Sequence, residues 1–277
     1  MLITDAQVHL WLPDTPDRPW PPGTHAFAHG ASMSPEEMIR MMDSANVDRA
    51  LLVPPSWAGD RNDYCARAAR KYPQRFAVAG RVPLDVPMRA EALAAWCKQY
   101  SLLGIRLTFS RGKSKEWLND GTADWLWAAA QEAGIPVFLY TPGLIRQVDE
   151  IAAHFPDLKI TLDHLTLHTE WRDDEIISPL RELVGLAQRP NISVKASSIP
   201  SYVTEPYPFR SVHEKLHRII NAFGAQRVFW GSDVTRLPVP YEECVALFMK
   251  ELDFLSQEER RLIMGEALSS WIDWPEP

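Results

Sequence analysis

Eight short apolar runs punctuate the chain, at residues 2–9, 50–53, 76–82, 104–108, 136–140, 159–163, 192–195 and 228–231. They are rich in β-branched and aromatic residues and show little polar alternation, the pattern of strands buried on both faces. Between them apolar positions return every three or four residues, the spacing of an amphipathic helix. The first such stretch follows Ser34-Pro35-Glu36-Glu37, which supplies an N-cap hydroxyl, a proline at the first position and acid in the first turn, ahead of Met38, Met41, Met42 and Ala45. Further helices are predicted over 60–72, 88–100, 122–133, 144–154, 175–188, 211–223 and 241–252. One more is predicted over 257–264, where Ser256 and Glu259 have the spacing of a capping box.

Eight strands alternating with eight helices predict an α/β fold: a single (β/α)8 TIM barrel occupying residues 1–277, with an extra helix at its C-terminal end. A doubly wound open sheet is the competitor. No Gly-x-Gly-x-x-Gly follows the first strand, so a dinucleotide fold has little support. One connection is unusually long. Residues 11–33 carry five prolines, Trp20, His25 and His29, and leave from the carboxyl end of the first strand. A loop of that length is either functional or disordered, and that end of a barrel is its active face. Two readings stand: a partial lid, or a solvated excursion over the rim. His25 and His29 read as surface residues.

Composition narrows the classes. A formal net charge of -7, with acids and bases interspersed, argues against non-specific nucleic-acid binding and against an acidic tail. Cys65, Cys97 and Cys244 are odd in number and far apart, so they read as buried free thiols in a reducing compartment. The N-terminal run contains Asp5 and lacks the basic and long apolar parts of a signal peptide, and no run has the length of a membrane span. The expectation is a cytoplasmic protein acting on a small molecule, with no nucleic-acid or membrane partner.

Three of the apolar runs end on groups able to do acid–base or metal chemistry: His9, Asp163-His164 and Gly231-Ser232-Asp233. Asp5-Ala6-Gln7-Val8-His9 resembles the Asp-x-His-x-His opening of amidohydrolase-superfamily enzymes. Gly104-Ile105-Arg106-Leu107 is similar to their fourth-strand segment, Thr161-Leu162-Asp163-His164 to their sixth, and Trp230-Gly231-Ser232-Asp233 to their eighth. Each motif is weak by itself, and the ordered set is specific. The branch it resembles is the amidohydrolase-2 group, which includes 2-pyrone-4,6-dicarboxylate lactonase, fuconolactonase-like enzymes and related decarboxylases. For assembly, the resemblance implies a homodimer.

Two departures bear on metal. Gln7 stands at the first histidine position, and Tyr140 where metal-dependent members often carry a fifth-strand histidine. An amide oxygen and a neutral phenol are poor ligands for a divalent transition metal. His9, His164 and Asp233 remain as a ligand set for one zinc or manganese ion. The resemblance to the dicarboxylate lactonase, which works without metal, favours a cofactor-free site.

Residue chemistry then assigns roles. Asp233 is the candidate general base towards water. His9 and His164, with Gln7 as an amide donor, are candidates to polarise the attacked carbonyl. Arg106 reads as a substrate clamp or as half of an internal ion pair, and the resemblance favours the clamp. Lys195 reads equally as a binding lysine or a buried salt bridge. Tyr140, Ser56 and Trp57 are candidates for substrate contact, and Ser56 has no Gly-x-Ser-x-Gly elbow to make it a nucleophile. Arg111 and Arg236 lie on the loops after strands four and eight, where either can face the ligand, although exposed loop arginines are usually just solvated. The stretches 165–168 and 197–201 hold no arginine where the dicarboxylate lactonase has them, which disfavours a poly-anionic substrate. Eleven tryptophans favour an apolar or aromatic one. The combined expectation is hydrolysis of a lactone or similar cyclic ester by Asp-activated water. A metal-dependent decarboxylase or hydratase and a catalytically silent metabolite-binding barrel are the alternatives.

Overall fold

Each apolar run becomes a strand, and each helical stretch packs it from outside. The computed structural model describes residues 1–25, 30–110 and 112–275. Its strands are β1 (Thr4–Val8), β2 (Arg49–Leu52), β3 (Phe76–Gly80), β4 (Leu102–Thr108), β5 (Val137–Tyr140), β6 (Ile160–Leu162), β7 (Ile192–Ser197) and β8 (Val228–Gly231). They pair in parallel in sequential order from β1 to β8. The helices α1 (Pro35–Ser44), α2 (Asp63–Lys71), α3 (Ala90–Tyr100), α4 (Asp124–Ala133), α5 (Ile145–His154), α6 (Ile177–Gly185), α7 (Arg210–Phe223) and α8 (Tyr241–Ala246) alternate with them. This is the predicted (β/α)8 barrel. Observed ends differ from the predicted ones by a residue or two at most strands, as fraying ends do.

The local capping signals are realised in the fold. Ser34 Oγ accepts from Glu37 N at 3.1 Å at the start of α1. Ser256 and Glu259 make the reciprocal pair of a capping box, with Glu259 N to Ser256 Oγ at 3.2 Å and Ser256 N to Glu259 Oε2 at 2.8 Å. That box opens α9 (Gln257–Arg261), which continues to residue 266 and then turns into α10 (Ala267–Trp271). All three cysteines are buried free thiols.

Two apolar layers hold the barrel. The larger lies between strands and helices. The smaller fills the bore: Ala6, Leu51, Ala77, Ala79, Phe138 and Phe229 pack onto Leu268, Ile272 and Trp274, so the extra C-terminal segment plugs the barrel floor. Gly104 makes room for this plug, because a Cβ there would meet the Phe138 ring at 2.7 Å.

The seam between β8 and β1 is closed by a side chain. Asp5 Oδ1 accepts from Gln7 N at 2.8 Å and from Ser232 N at 2.9 Å, while Oδ2 accepts from the Tyr241 hydroxyl at 2.6 Å. Asp233 N donates to Gln7 O at 2.9 Å just above. Burial pushes the Asp5 carboxyl pKa up despite those bonds. The first acid of the strand-one motif is therefore a staple that fixes where β8 ends relative to β1.

The long connection after β1 folds back onto the barrel over its described parts. Trp11 and Met33 pair through their backbones, and Arg18 grips Asp63 of α2 through two bonds of 2.9 and 2.7 Å. Trp11, Trp20 and Trp57 form a small cluster of their own. His25 contacts Asp14 on the surface. His29 lies outside the described residues.

Candidate active site

Above the apolar plug lies a buried ionic layer. Lys195, on β7, is fully buried; its Nζ sits 4.4 Å above the Phe138 ring, donates to Gln7 Oε1 at 2.8 Å and lies 3.0 Å from Asp163 Oδ1. The other oxygen of Asp163 accepts from Arg106 Nε at 3.0 Å. Asp163 thus bridges two cations. Burial alone would raise its pKa, but Lys195 and Arg106 outweigh that and hold it down at about 2. Burial also lowers the pKa of Lys195, with Asp163 opposing. A buried charge persists only when paired in this way.

One step nearer the carboxyl ends, three groups converge. Asp233, fully buried just past β8, holds Oδ1 3.2 Å from His9 Nε2 and Oδ2 3.9 Å from His164 Nε2. Both histidines are braced from behind: His9 Nδ1 contacts Val53 O at 2.6 Å, and His164 Nδ1 contacts Ser197 Oγ at 2.9 Å. His9 also meets Trp57 edge to face at 5.8 Å, and His164 meets Tyr140 likewise at 5.5 Å. Burial depresses His164 to a pKa of about 4, against the pull of Asp233 and Asp163, so it is neutral at pH 7. Burial works to raise Asp233, but the contact with and charge of His9, then the charges of His164 and Arg236, hold it well below the usual carboxylate range. Neither carboxylate oxygen has a well-aligned hydrogen bond.

The local backbone is bent to present these groups. His164, Leu165 and Thr166 all have positive φ (55°, 52° and 60°), as does Asp233 (53°). Left-handed backbone costs a non-glycine residue roughly 1–2 kcal/mol, and such strain concentrates at functional positions. Gly231 lets β8 approach β1 here, since a Cβ on it would lie 3.2 Å from Gln7 N.

These groups open into a cleft of about 670 Å³ at the carboxyl ends of the strands. Of the residues singled out from sequence, His9, His164, Asp233, Arg106, Tyr140, Ser56 and Trp57 line it together. Gln7 and Lys195 sit beneath it, bonded to each other, rather than in its wall. Arg106 makes the internal ion pair, with Nε on Asp163 and Nη1 donating to Thr108 Oγ1 at 2.6 Å, and its side chain also lines the cleft. Tyr140 accepts from Thr169 N at 3.1 Å and also meets the Thr169 side chain, and burial raises its pKa. Pro22, Gly23 and Thr24 of the long connection form part of the rim. Arg236, on the loop after β8, turns inward to 4.0 Å from Asp233 Oδ2 and keeps only 29% of its side chain exposed. Arg81 lines the wall as well and was passed over in the sequence, although it directly follows β3 and so obeys the same strand-end rule as His9. Arg111 lies outside the described residues.

A family model described as amidohydrolase matches residues 4–267, nearly the whole barrel. The chain belongs to the amidohydrolase family. It is a hydrolase of that family, 25% identical to an L-fucono-1,5-lactonase of Burkholderia multivorans, with 100% of this chain and 97% of the relative covered. Among solved structures, an amidohydrolase from Burkholderia multivorans with bound zinc superposes with a TM-score of 0.81 at 22% identity, covering 99% of this chain and 100% of that one. A probable 2-pyrone-4,6-dicarboxylic acid hydrolase from Acinetobacter baumannii with citric acid bound gives 0.78 at 17%, again over 99% and 100%. At these identities the structural likeness establishes the fold.

Zinc in one amidohydrolase neighbour makes the donor set here worth testing. His9 Nε2, His164 Nε2 and the Asp233 carboxylate face one another across the cup. The Gln7 amide oxygen is engaged by the Lys195 ammonium, and burial keeps the Tyr140 phenol protonated. Among the described residues, no group of three or more His, Cys, Asp and Glu is arranged to hold a metal ion. Three donors, His9, His164 and Asp233, thus face one cup, while Gln7 and Tyr140 add no further ligand to them.

Proposed function

We propose that this amidohydrolase opens a lactone without a metal ion, using Asp233 to activate water. The observation that carries the proposal is the carboxylate of Asp233, ionised by its surroundings, buried, and flanked by two braced imidazoles at the mouth of the barrel. The relative that hydrolyses L-fucono-1,5-lactone, and the neighbour assigned to a pyrone dicarboxylate, support a cyclic ester as substrate.

In this proposal Asp233 takes a proton from water as the oxygen attacks the lactone carbonyl carbon. Negative charge gathers on the carbonyl oxygen and is met by Nε2–H of His164, whose Nδ1 accepts from the Ser197 hydroxyl, and by the Tyr140 hydroxyl, while His9, with Nδ1–H on the Val53 carbonyl, pairs with Asp233 and Arg106 orients the substrate. Collapse of the adduct breaks the ring C–O bond, and the departing alkoxide takes the proton back from Asp233. The product is the open hydroxy acid. A carboxylate held well below its usual range is ionised at every working pH but is a weak base. The chemistry therefore leans on polarisation of the carbonyl, and lactones with good leaving groups are expected to react fastest.

The test is turnover of a lactone panel by protein stripped with a chelator, alongside metal analysis of the same sample. Full activity with no stoichiometric metal is expected. One bound zinc or manganese whose removal abolishes turnover would overturn the metal-free assignment in favour of an ion held by His9, His164 and Asp233.

A further inference from the structure

The two imidazoles of the cup are backed by opposite kinds of group. His9 Nδ1 meets the Val53 carbonyl at 2.6 Å. A carbonyl only accepts, so it takes the Nδ1 proton. His164 Nδ1 meets the Ser197 hydroxyl at 2.9 Å. A hydroxyl can give or take, and the front of the ring decides which. There Nε2 lies 3.9 Å from Asp233 Oδ2. An ionised carboxylate repels a nitrogen lone pair and favours an N–H. The neutral His164 ring has a single N–H, so that proton belongs on Nε2 and Ser197 donates to Nδ1.

The fold builds Ser197 into this post. Ser193, Lys195 and Ser197 alternate along β7, and all are fully buried. Each meets a group of β6 or of the turn after it. Ser193 Oγ bonds Thr161 Oγ1 at 2.8 Å, Lys195 Nζ pairs with Asp163 at 3.0 Å, and Ser197 Oγ reaches His164. Ser197 is the last residue of β7, level with the point where the left-handed backbone of His164 (φ 55°) turns the chain out of line with β6. Close packing against β8 holds it there, since a Cβ on Gly231 would lie 3.2 Å from Ser197 Cβ. Ser193 shows what a merely satisfied hydroxyl looks like on the same strand: its bonds run to Thr161 and to the Ile160 carbonyl.

The consequence is electronic as well as geometric. A rear partner that takes a proton pushes electron density into an imidazole, and one that gives a proton draws it out. The Ser197 bond therefore strengthens the Nε2–H of His164 as a donor towards negative charge. We propose that Ser197 is a positioning residue for lactone opening: its hydroxyl, donated to Nδ1, orients the His164 ring and keeps the ring proton on Nε2, where it meets the oxyanion of the adduct. The catalytic part rests on the lactonase proposal, and the tautomer stands without it.

The test has two arms. In protein made with nitrogen-labelled histidine, nitrogen–proton correlation spectra at pH 7 tell a protonated ring nitrogen from a bare one, and the His164 signals are those missing from His164→Gln. The wild type should carry the His164 proton on Nε2; a proton on Nδ1 would overturn the proposal, whether or not any Ser197 variant folds. The second arm compares Ser197→Ala with Ser193→Ala, which loses a buried hydroxyl of the same strand away from the cup. Ser197→Ala should lower kcat on a lactone roughly tenfold with KM nearly unchanged, the size of one hydrogen bond felt in the transition state. It should weaken binding of a cyclic phosphonate, whose phosphoryl oxygens mimic the oxyanion, by a similar factor. Ser193→Ala should leave both at wild-type values. Wild-type kcat in Ser197→Ala, a fall in kcat without weaker phosphonate binding, or an equal fall in Ser193→Ala would each contradict the role. Failure of the two proposals is distinguishable. A proton on Nε2 in a protein that opens no lactone sinks the lactonase proposal alone, and a proton on Nδ1 in a working lactonase sinks this one alone.

Discussion

The barrel has a cavity at each end, about 670 Å³ at the carboxyl mouth and about 710 Å³ at the floor. Both are walled by arginine, yet their chemistry differs. At the floor Arg49 donates to Pro275 O at 2.8 Å and to Ser269 Oγ at 2.7 Å, and stacks on Trp274 at 4.3 Å. Its charge is used to tie the C-terminal segment to β2. At the mouth the Asp233 oxygens lack aligned donors and Arg81 Nη1 has no partner. Volume does not separate a site from a structural hollow; what the buried charge faces does, a carbonyl, a hydroxyl and an indole at the floor against a carboxylate between two imidazoles at the mouth. The amidohydrolase barrel thus divides its labour along one axis, with stability below and chemistry above, as parallel barrels do.

The ionic layer between the two ends gives the largest test of that division. Lys195→Met leaves Asp163 buried with Arg106 as its remaining ion-pair partner, and should cost about 3–5 kcal/mol of stability in urea unfolding. A loss under about 1 kcal/mol would show that the layer is not a structural partition. At the floor, Arg49→Ala should cost about 2 kcal/mol through lost hydrogen bonds and stacking. Its kcat/KM on a lactone should stay at the wild-type value. A loss of turnover at constant stability there would break the comparison outright.

Acid sharpens the contrast further. The folded-state pKa of His164, about 4, lies below the ordinary 6.5. Over that interval the unfolded chain binds a proton that the native protein does not, so stability falls as pH drops from 6.5 towards 4. At pH 5 the loss from this one group is about 2 kcal/mol. Below pH 4 the loss continues through Asp163, whose stabilising ionisation persists down to about 2. His164→Gln should remove the slope between pH 6.5 and 4. If chemical unfolding shows the same slope in both proteins, His164 is not the buried neutral imidazole described here.

Much of this was legible in the sequence because the barrel repeats one rule. Apolar runs without polar alternation are strands buried on both faces, and a polar residue ending such a run points into the mouth. That rule located His9, His164 and Asp233, and it applied equally to Arg81, where the basic residue was absorbed into an overlong third strand. What the sequence could not show is depth. Gln7 and Lys195 are polar residues set in barrel strands, yet their side chains meet each other below the cleft, because which layer a residue occupies depends on the register of its strand around the barrel. Asp5 was likewise unreadable as the seam staple, since its partners Ser232 and Tyr241 lie more than two hundred residues away. The inward turn of Arg236 depends on the loop after β8, where the apolar pattern gives no guide.

The central claim is that Asp233 activates the attacking water. The direct measurement is kcat for Asp233→Asn on the lactone the wild type opens fastest, with the melting temperature recorded on the same preparations. The account predicts a fall of about a thousandfold or more in a protein that still unfolds cooperatively but melts below the wild-type temperature, because the ionised Asp233 is stabilised in the fold by His9, His164 and Arg236. Wild-type turnover by a well-folded Asp233→Asn protein would contradict it.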